Sequence, residues 1–270
     1  MAFVANARMY GVNPQARAAW SELFAWLARA SGVDLSVIEH AYPAPLSTLW
    51  ARPDLACVYM CGFPFVQARN RPVPVAAPVP DAGPVPGEPL YATHFVVSSG
   101  SEFRTLEDTF GGRLGYTIAD SHSGYNAPRH HLLAYRTPER PTLYSATLGP
   151  LVTPRRVIEA ILSGVVDVGP LDGYALDLML RHEPDLGGLI RIVASTRPAP
   201  IPFLVASPTC PAEVVETLRA SLLAFGEAPE GAGLRDRLRL DGFARVRVAD
   251  YEQLRRWDDE ARAVGYPELA

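Results

Sequence analysis

The sequence predicts an α/β protein with mostly parallel sheets. Short apolar runs alternate with amphipathic helical stretches along the chain, the pattern that lays strands side by side under covering helices. One run, 55–60, is apolar throughout, as a strand buried on both faces is. The 270 residues are 48% hydrophobic and 20% charged, a composition that supports a large core and excludes disordered and collagen-like classes.

Each element follows from local signals. Residues 3–7 open as a strand. Asn13-Pro14 reads as an N-cap with proline at the first helical position. Ala16, Ala19, Trp20, Leu23, Trp26, Leu27 and Ala30 then recur at three- and four-residue steps, giving an amphipathic helix that Gly32 ends. Trp20 and Trp26 fall on its apolar face and read as core. A strand is expected over 33–39, a short helix over 46–50 and a buried strand over 54–60, stopped by Cys61-Gly62-Phe63-Pro64. Residues 71–89 hold seven prolines but lack the Ser, Gln and charge of a linker, so they read as strand and loop inside a domain.

Strands follow at 91–98 and 113–118, separated by one capped helical turn at Thr105. The second strand runs into Asp120-Ser121-His122-Ser123-Gly124-Tyr125-Asn126, and a helix then passes through His131, Leu132 and Tyr135. Thr153-Pro154 opens another helix, with Val157, Ile158, Ile161 and Leu162 on one face and Gly164 at its end. A short strand at 165–169 leads to Asp172, and strands are expected at 189–194 and 201–206. Val214, Val215, Leu218, Leu222 and Phe225 mark a helix over 211–225, and the last helix covers about 251–264.

Composition removes several chemistries. All 25 basic residues are Arg. A Walker P-loop, a pyridoxal phosphate enzyme and a protein kinase each need a lysine. A net charge of −4 and the lack of a basic stripe exclude a nucleic-acid grip. Cys57, Cys61 and Cys210 are too few and too odd for a disulfide framework, and no Cys-x-x-Cys pair suggests zinc. No run approaches the roughly 18 apolar residues of a membrane span, so no membrane insertion is expected. The opening residues lack the basic start and apolar core of a secretory signal. As written the chain reads as cytoplasmic, and as periplasmic if a signal has been removed.

In a parallel sheet, ligands bind beyond the carboxyl ends of strands. Three loops fit that position: Cys61-Gly62-Phe63, 120–126, and Leu171-Asp172-Gly173. The middle one is the most informative. Its hydroxyls and Gly124 precede a helix, whose first amides have no internal partners and carry the positive end of the dipole. That arrangement is an oxyanion cradle that needs no lysine or arginine. The plain alternative is that Ser123 only caps the helix. His130, His131 and His122 lack a carboxylate at ligand spacing, so no metal is expected. Ser123 also lacks the Gly-x-Ser-x-Gly elbow of a hydrolase, so no catalytic residue is assigned.

Taken together, strand, Asp120-Ser-x-Ser-Gly-Tyr125, helix, Gly164-x-x-Asp167-Val and then Asp172 resemble the substrate-binding component of phosphate/phosphite/phosphonate ABC transporters. Met9-Tyr10 before a helix and Cys61-Gly62-Phe63-Pro64 after a buried strand match one branch of that family. The resemblance covers roughly 5–225 and implies the two-lobed type 2 periplasmic-binding-protein fold, each lobe a mixed sheet flanked by helices. Lobe one would be 1–93 plus 207–270 and lobe two 94–206, joined by crossing strands near Ala92–Phe95 and Ala206. It implies that Ser121, Ser123, Gly124 and Tyr125 hold an oxyanion, with His122 in the same loop. Tyr10, Cys61, Gly62 and Phe63 would line the cleft from lobe one, with Tyr91 at the first crossing strand. Asp172 would accept a proton from a protonated ligand oxygen. Thr153-Pro154 stands where many members carry a Ser-His pair whose His touches ligand. The implied protein is a monomer without cofactor that binds a small anion and partners a transporter permease. An enzyme or a ligand sensor in the cytoplasm, built on the same fold, is the other reading.

Overall fold

A computed structural model describes residues 2–270. In chain order the elements begin with β1 (Phe3–Asn6), α1 (Pro14–Ser31), β2 (Leu35–Val37), α2 (Leu46–Trp50), β3 (Leu55–Met60), α3 (Gly62–Gln67), β4 (Val73–Pro80) and β5 (Leu90–Tyr91). They continue with β6 (Thr93–Ser98), β7 (Arg113–Gly115), α4 (Ala127–Leu132), β8 (Ala146–Leu148), α5 (Pro154–Leu162), β9 (Gly169–Asp172), α6 (Gly173–His182) and α7 (Leu186–Leu189). The chain closes with β10 (Ile190–Ser195), β11 (Ala199–Pro200), β12 (Phe203–Ala206), α8 (Ala212–Ala224), α9 (Ala232–Leu238), β13 (Leu240–Ala244) and α10 (Val248–Ala263). Two units result: Met1–Leu90 with Pro200–Ala249, and Tyr91–Ala199 with Asp250–Ala270.

The first unit is built on a six-stranded sheet in the order β13-β4-β12-β3-β1-β2. β1 runs parallel to β2 and β3, whereas β12 runs antiparallel to β3 and β4, and β13 antiparallel to β4. The sheet is therefore mixed rather than mostly parallel. An all-apolar strand such as β3 reads the same in either setting, because burial on both faces, not direction, sets its composition. α1 forms as its signals predict. Asn13 Oδ1 accepts from Ala16 N at 2.8 Å, and Gly32, at φ 69°, donates to the Ala28 carbonyl.

The second unit holds the antiparallel sheet β10-β6-β9 and the parallel pair β7-β8. Phe95, Leu114, Leu132 and Val168 meet in its core together with Tyr266 and Leu269. Those last two residues correct the expected lobe boundary. Sequence order puts 207–270 in one lobe, but the division falls at Ala249/Asp250, inside α10, and the rest of the chain packs with the second unit. The other passages fall at Leu90/Tyr91 and Ala199/Pro200. β6 and β12, the expected crossing strands, thus lie wholly inside one unit each, and the two-residue strands β5 and β11 stand at the passages instead.

The strand expected at 165–169 is also displaced. Val165 N and Val166 N both donate to the Ala160 carbonyl after Gly164 at φ 71°, so this segment finishes α5, and pairing begins only at Val168, which bridges Leu114 just ahead of β9. No helix of the described residues is long and apolar enough to cross a membrane.

Candidate functional site

The segment after β7 supplies the central turn of the second unit. Ser121 caps a π-helical turn, His122–Asn126, which continues directly into α4. Its Oγ accepts from Gly124 N at 2.9 Å, so the hydroxyl hydrogen is left to donate elsewhere. Ser123 lies against the end of β9, where its Oγ donates to Asp172 Oδ2 at 3.5 Å. Asp172 is buried and ends β9. Its other oxygen, Oδ1, accepts from Ala175 N at 2.9 Å and caps α6. One side chain therefore does two things: one oxygen caps α6, and the other faces the serine.

Gly124 has a reason that the sequence does not reveal. A Cβ on it would come within 1.8 Å of Thr117 Oγ1 and 2.9 Å of Thr117 Cβ. Thr117 follows β7, is 6% exposed, and its hydroxyl has no hydrogen-bond partner among the described residues. Gly124 is thus required by close packing beneath the turn. Thr117 was not singled out by sequence reasoning, since a β-branched residue after a strand signals only strand.

Three further expected ligand residues have close neighbours within the second unit. His122 is fully buried, its ring stacked on Trp257 with centroids 5.3 Å apart, and its Nδ1 accepts from Asn126 Nδ2 at 3.2 Å. Burial, with a smaller contribution from His130, pushes its pKa down to about 3, so it is a neutral imidazole at ordinary pH. It neither faces solvent nor supplies a cation to the turn. The Tyr125 hydroxyl accepts from Leu269 N at 3.2 Å, and its ring meets Tyr116 edge-on at 5.2 Å. Tyr91 is buried, its ring 6.3 Å from that of His122.

The C-terminal segment backs this turn. Arg129, 1% exposed, donates to Asp258 Oδ1, to the Pro267 carbonyl and, at 3.1 Å, to Asn126 Oδ1. Asn126 Nδ2 donates to the Leu254 carbonyl at 2.8 Å. His130 lies flat on Trp257, centroids 4.9 Å apart and planes 7° apart, and donates to Glu260 at 2.7 Å. Burial works to raise the Asp258 carboxyl, but Arg129 and Arg262 together hold it below the usual carboxylate range.

In the first unit, β1 and β3 are parallel neighbours, so the loops after them leave the same edge of the sheet. Tyr10 follows β1 and is buried edge-on against Tyr59 of β3, centroids 5.0 Å apart. Cys61 follows β3 and is the N-cap residue of α3, whose first residues are Gly62 and Phe63; all three are buried. The structure thus gathers Ser121, Ser123, Gly124 and Asp172 in one unit, and Tyr10, Cys61, Gly62 and Phe63 in the other. Among the described residues no group of His, Cys, Asp and Glu is arranged to hold a metal ion.

Comparison with known proteins shows the family and the fold. Residues 12–251 match the family model described as the periplasmic substrate-binding protein of phosphonate ABC transporters. Among the curated proteins, none matches this sequence. The fold is similar to a binding protein component of an ABC phosphonate transporter (PA3383) from Pseudomonas aeruginosa, with TM-score 0.79 and 15% identity over 97% of this chain and 87% of that one. It is similar to PhnD1 from Prochlorococcus marinus in complex with methylphosphonate, with TM-score 0.76 and 15% identity over 97% and 98%. XAC2383 from Xanthomonas citri, bound to ATP, has TM-score 0.65 and 21% identity over 97% and 98%.

Proposed function

The chain belongs to the family of periplasmic substrate-binding proteins of phosphonate ABC transporters, and from that premise we propose that it captures a small phosphonate, phosphite or phosphate oxyanion and hands it, unaltered, to a transporter permease. The observation that carries this reading is the Ser121-x-Ser123-Gly124 turn with the Asp172 carboxylate 3.5 Å from the Ser123 hydroxyl. The turn itself holds no arginine or lysine. Neutral donors on the turn would hold anionic oxygens, and the adjoining carboxylate would repel any oxygen that has lost its proton.

A singly protonated phosphonate satisfies both. Ser121 donates to one oxygen. Ser123 turns its hydrogen from the long 3.5 Å contact to another, and Asp172 accepts the remaining acidic hydrogen. His122, neutral and turned toward Trp257, supports the turn from behind. Tyr91, and within the first unit Tyr10, Cys61, Gly62 and Phe63, are the further residues proposed to contact ligand, in a protein that acts as a monomer in the periplasm, the family's compartment. The resemblance of the fold to a methylphosphonate complex makes that compound the first probe.

Calorimetric titration with methylphosphonate, phosphite, phosphate and sulfate tests the reading. Binding of at least one phosphorus oxyanion is expected, with the ligand recovered unchanged. Ser121→Ala and Ser123→Ala each weaken it about 10- to 150-fold, the loss of one hydrogen bond to a charged group. Wild-type affinity in both variants would overturn the assignment of the turn.

A further inference from the structure

We propose that α10 holds the oxyanion turn in its binding geometry, with Asp258 as the positioning residue that acts through Arg129. The proposal rests on the reading of Ser121, Ser123 and Gly124 as ligand donors. It starts from a periodicity. His122, Tyr125, Asn126, Arg129 and His130 fall at i, i+3, i+4, i+7 and i+8, one face of a continuous helical run. Every one of them reaches the C-terminal segment: His122 and His130 stack on Trp257, Asn126 bonds Leu254, Arg129 bonds Asp258 and Pro267, and Tyr125 bonds Leu269. Ser121, Ser123 and Gly124 fall off that face and meet one another, Asp172 and Thr117 instead.

The polar groups on the inward face form one connected system. Asp258 accepts from Arg129 and, at 2.9 Å, from Arg262 Nε. Arg129 holds the Asn126 carbonyl oxygen, which aims the Asn126 amide nitrogen at Leu254 and at His122 Nδ1. His122 lies directly between the two serines in sequence, so a shift of its ring moves both hydroxyls. Arg129 is 1% exposed and Asp258 7% exposed, so removing the carboxylate leaves a buried guanidinium short of its charge partner. The whole chain from Asp258 to the serines then loses its fixed end. Glu260 adds a second tie through His130, which stacks on the same indole.

Hydrogen exchange of the full chain, read at amides 121–126, tests this without any ligand, alongside titration with methylphosphonate and phosphate. In Asp258→Asn the turn amides are expected to exchange at least tenfold faster, while β6 and β9 keep wild-type rates, and oxyanion affinity falls at least tenfold. Asp258→Glu, which keeps the charge, restores part of both. Unchanged exchange at the turn, or a uniform rise throughout the second unit, overturns the proposal, because a purely structural ion pair would lower only global stability. If Asp258→Asn does not fold, Trp257→Phe keeps the ion pair and shrinks the stacking surface. It must accelerate the same amides, and wild-type rates there overturn the proposal equally. A wild-type protein that binds neither probe defeats the oxyanion reading, and the exchange measurement still judges the positioning role separately.

Discussion

Gly124 and Thr117 show how narrowly the site is determined by single atoms. A Cβ at 124 would fall 1.8 Å from Thr117 Oγ1, far inside contact distance. Gly124→Ala is therefore expected to destabilise the protein by about 1–3 kcal/mol or more, the range for forcing extra volume into a packed interior. Thr117→Gly in the same chain should recover most of that loss, and Thr117→Ala less, because the Thr117 Cβ itself lies 2.9 Å away. Chemical denaturation of the two single variants and the double variant measures the coupling, and additive losses would show that the contact is not what demands glycine. The sequence made Gly124 legible as special, since a glycine beside two serines at a helix start signals close approach. It did not show from which side the approach comes, because Thr117 is seven residues away and its contact depends on the path between.

Among the elements, those with explicit punctuation were the legible ones. Asn13-Pro14 and Gly32 bracket α1, and Thr153-Pro154 opens α5, whose Thr153 hydroxyl accepts from Arg156 N at 3.3 Å. α9 and β13 were not read because Arg239, at φ 53°, makes the turn between them where a glycine would have announced it. α6 is announced only by Asp172, which a sequence allows equally as a cap and as a ligand residue. The same aspartate allows a prediction about the element and the site together. Asp172→Ala removes the acceptor for Ala175 N and should cost about 0.5–2 kcal/mol of stability. Asp172→Asn keeps most of the cap and removes only the charge. Under the proposed function it should flatten the preference for singly over doubly ionised oxyanions across pH, as titration at pH 6 and pH 8 would show. A variant that matches wild type in selectivity at both values would leave Asp172 as a cap alone.

At the scale of the whole molecule, buried imidazoles tie stability to acidity. Burial drives His122 from an ordinary 6.5 to about 3 and also lowers His94 and His131. Above 6.5 His122 is neutral whether the chain is folded or not, and its burial costs nothing in protonation. Between 6.5 and about 3 the unfolded chain takes up a proton that the folded one refuses, so stability falls as pH falls, by at most about 1.4 kcal/mol per pH unit for this residue. Denaturant melts from pH 8 to pH 4 should show that slope, and His122→Gln should reduce it without abolishing it. An identical slope in the variant would assign the effect to other groups. The two-unit architecture was legible in the Ser-x-Ser-Gly-Tyr turn and the alternation around it. The allegiance of 250–270 was not, because a helix that starts in one unit and ends in the other carries no mark of the boundary. That sharing governs how the chain comes off the ribosome. β12 belongs between β3 and β4, yet it emerges only after the entire 91–199 segment, and that segment in turn waits for α10. At ordinary synthesis rates the delay for β12 alone is on the order of ten seconds. Neither unit can close early, so the edges of β3 and β4 stay open on the nascent chain until β12 has been made.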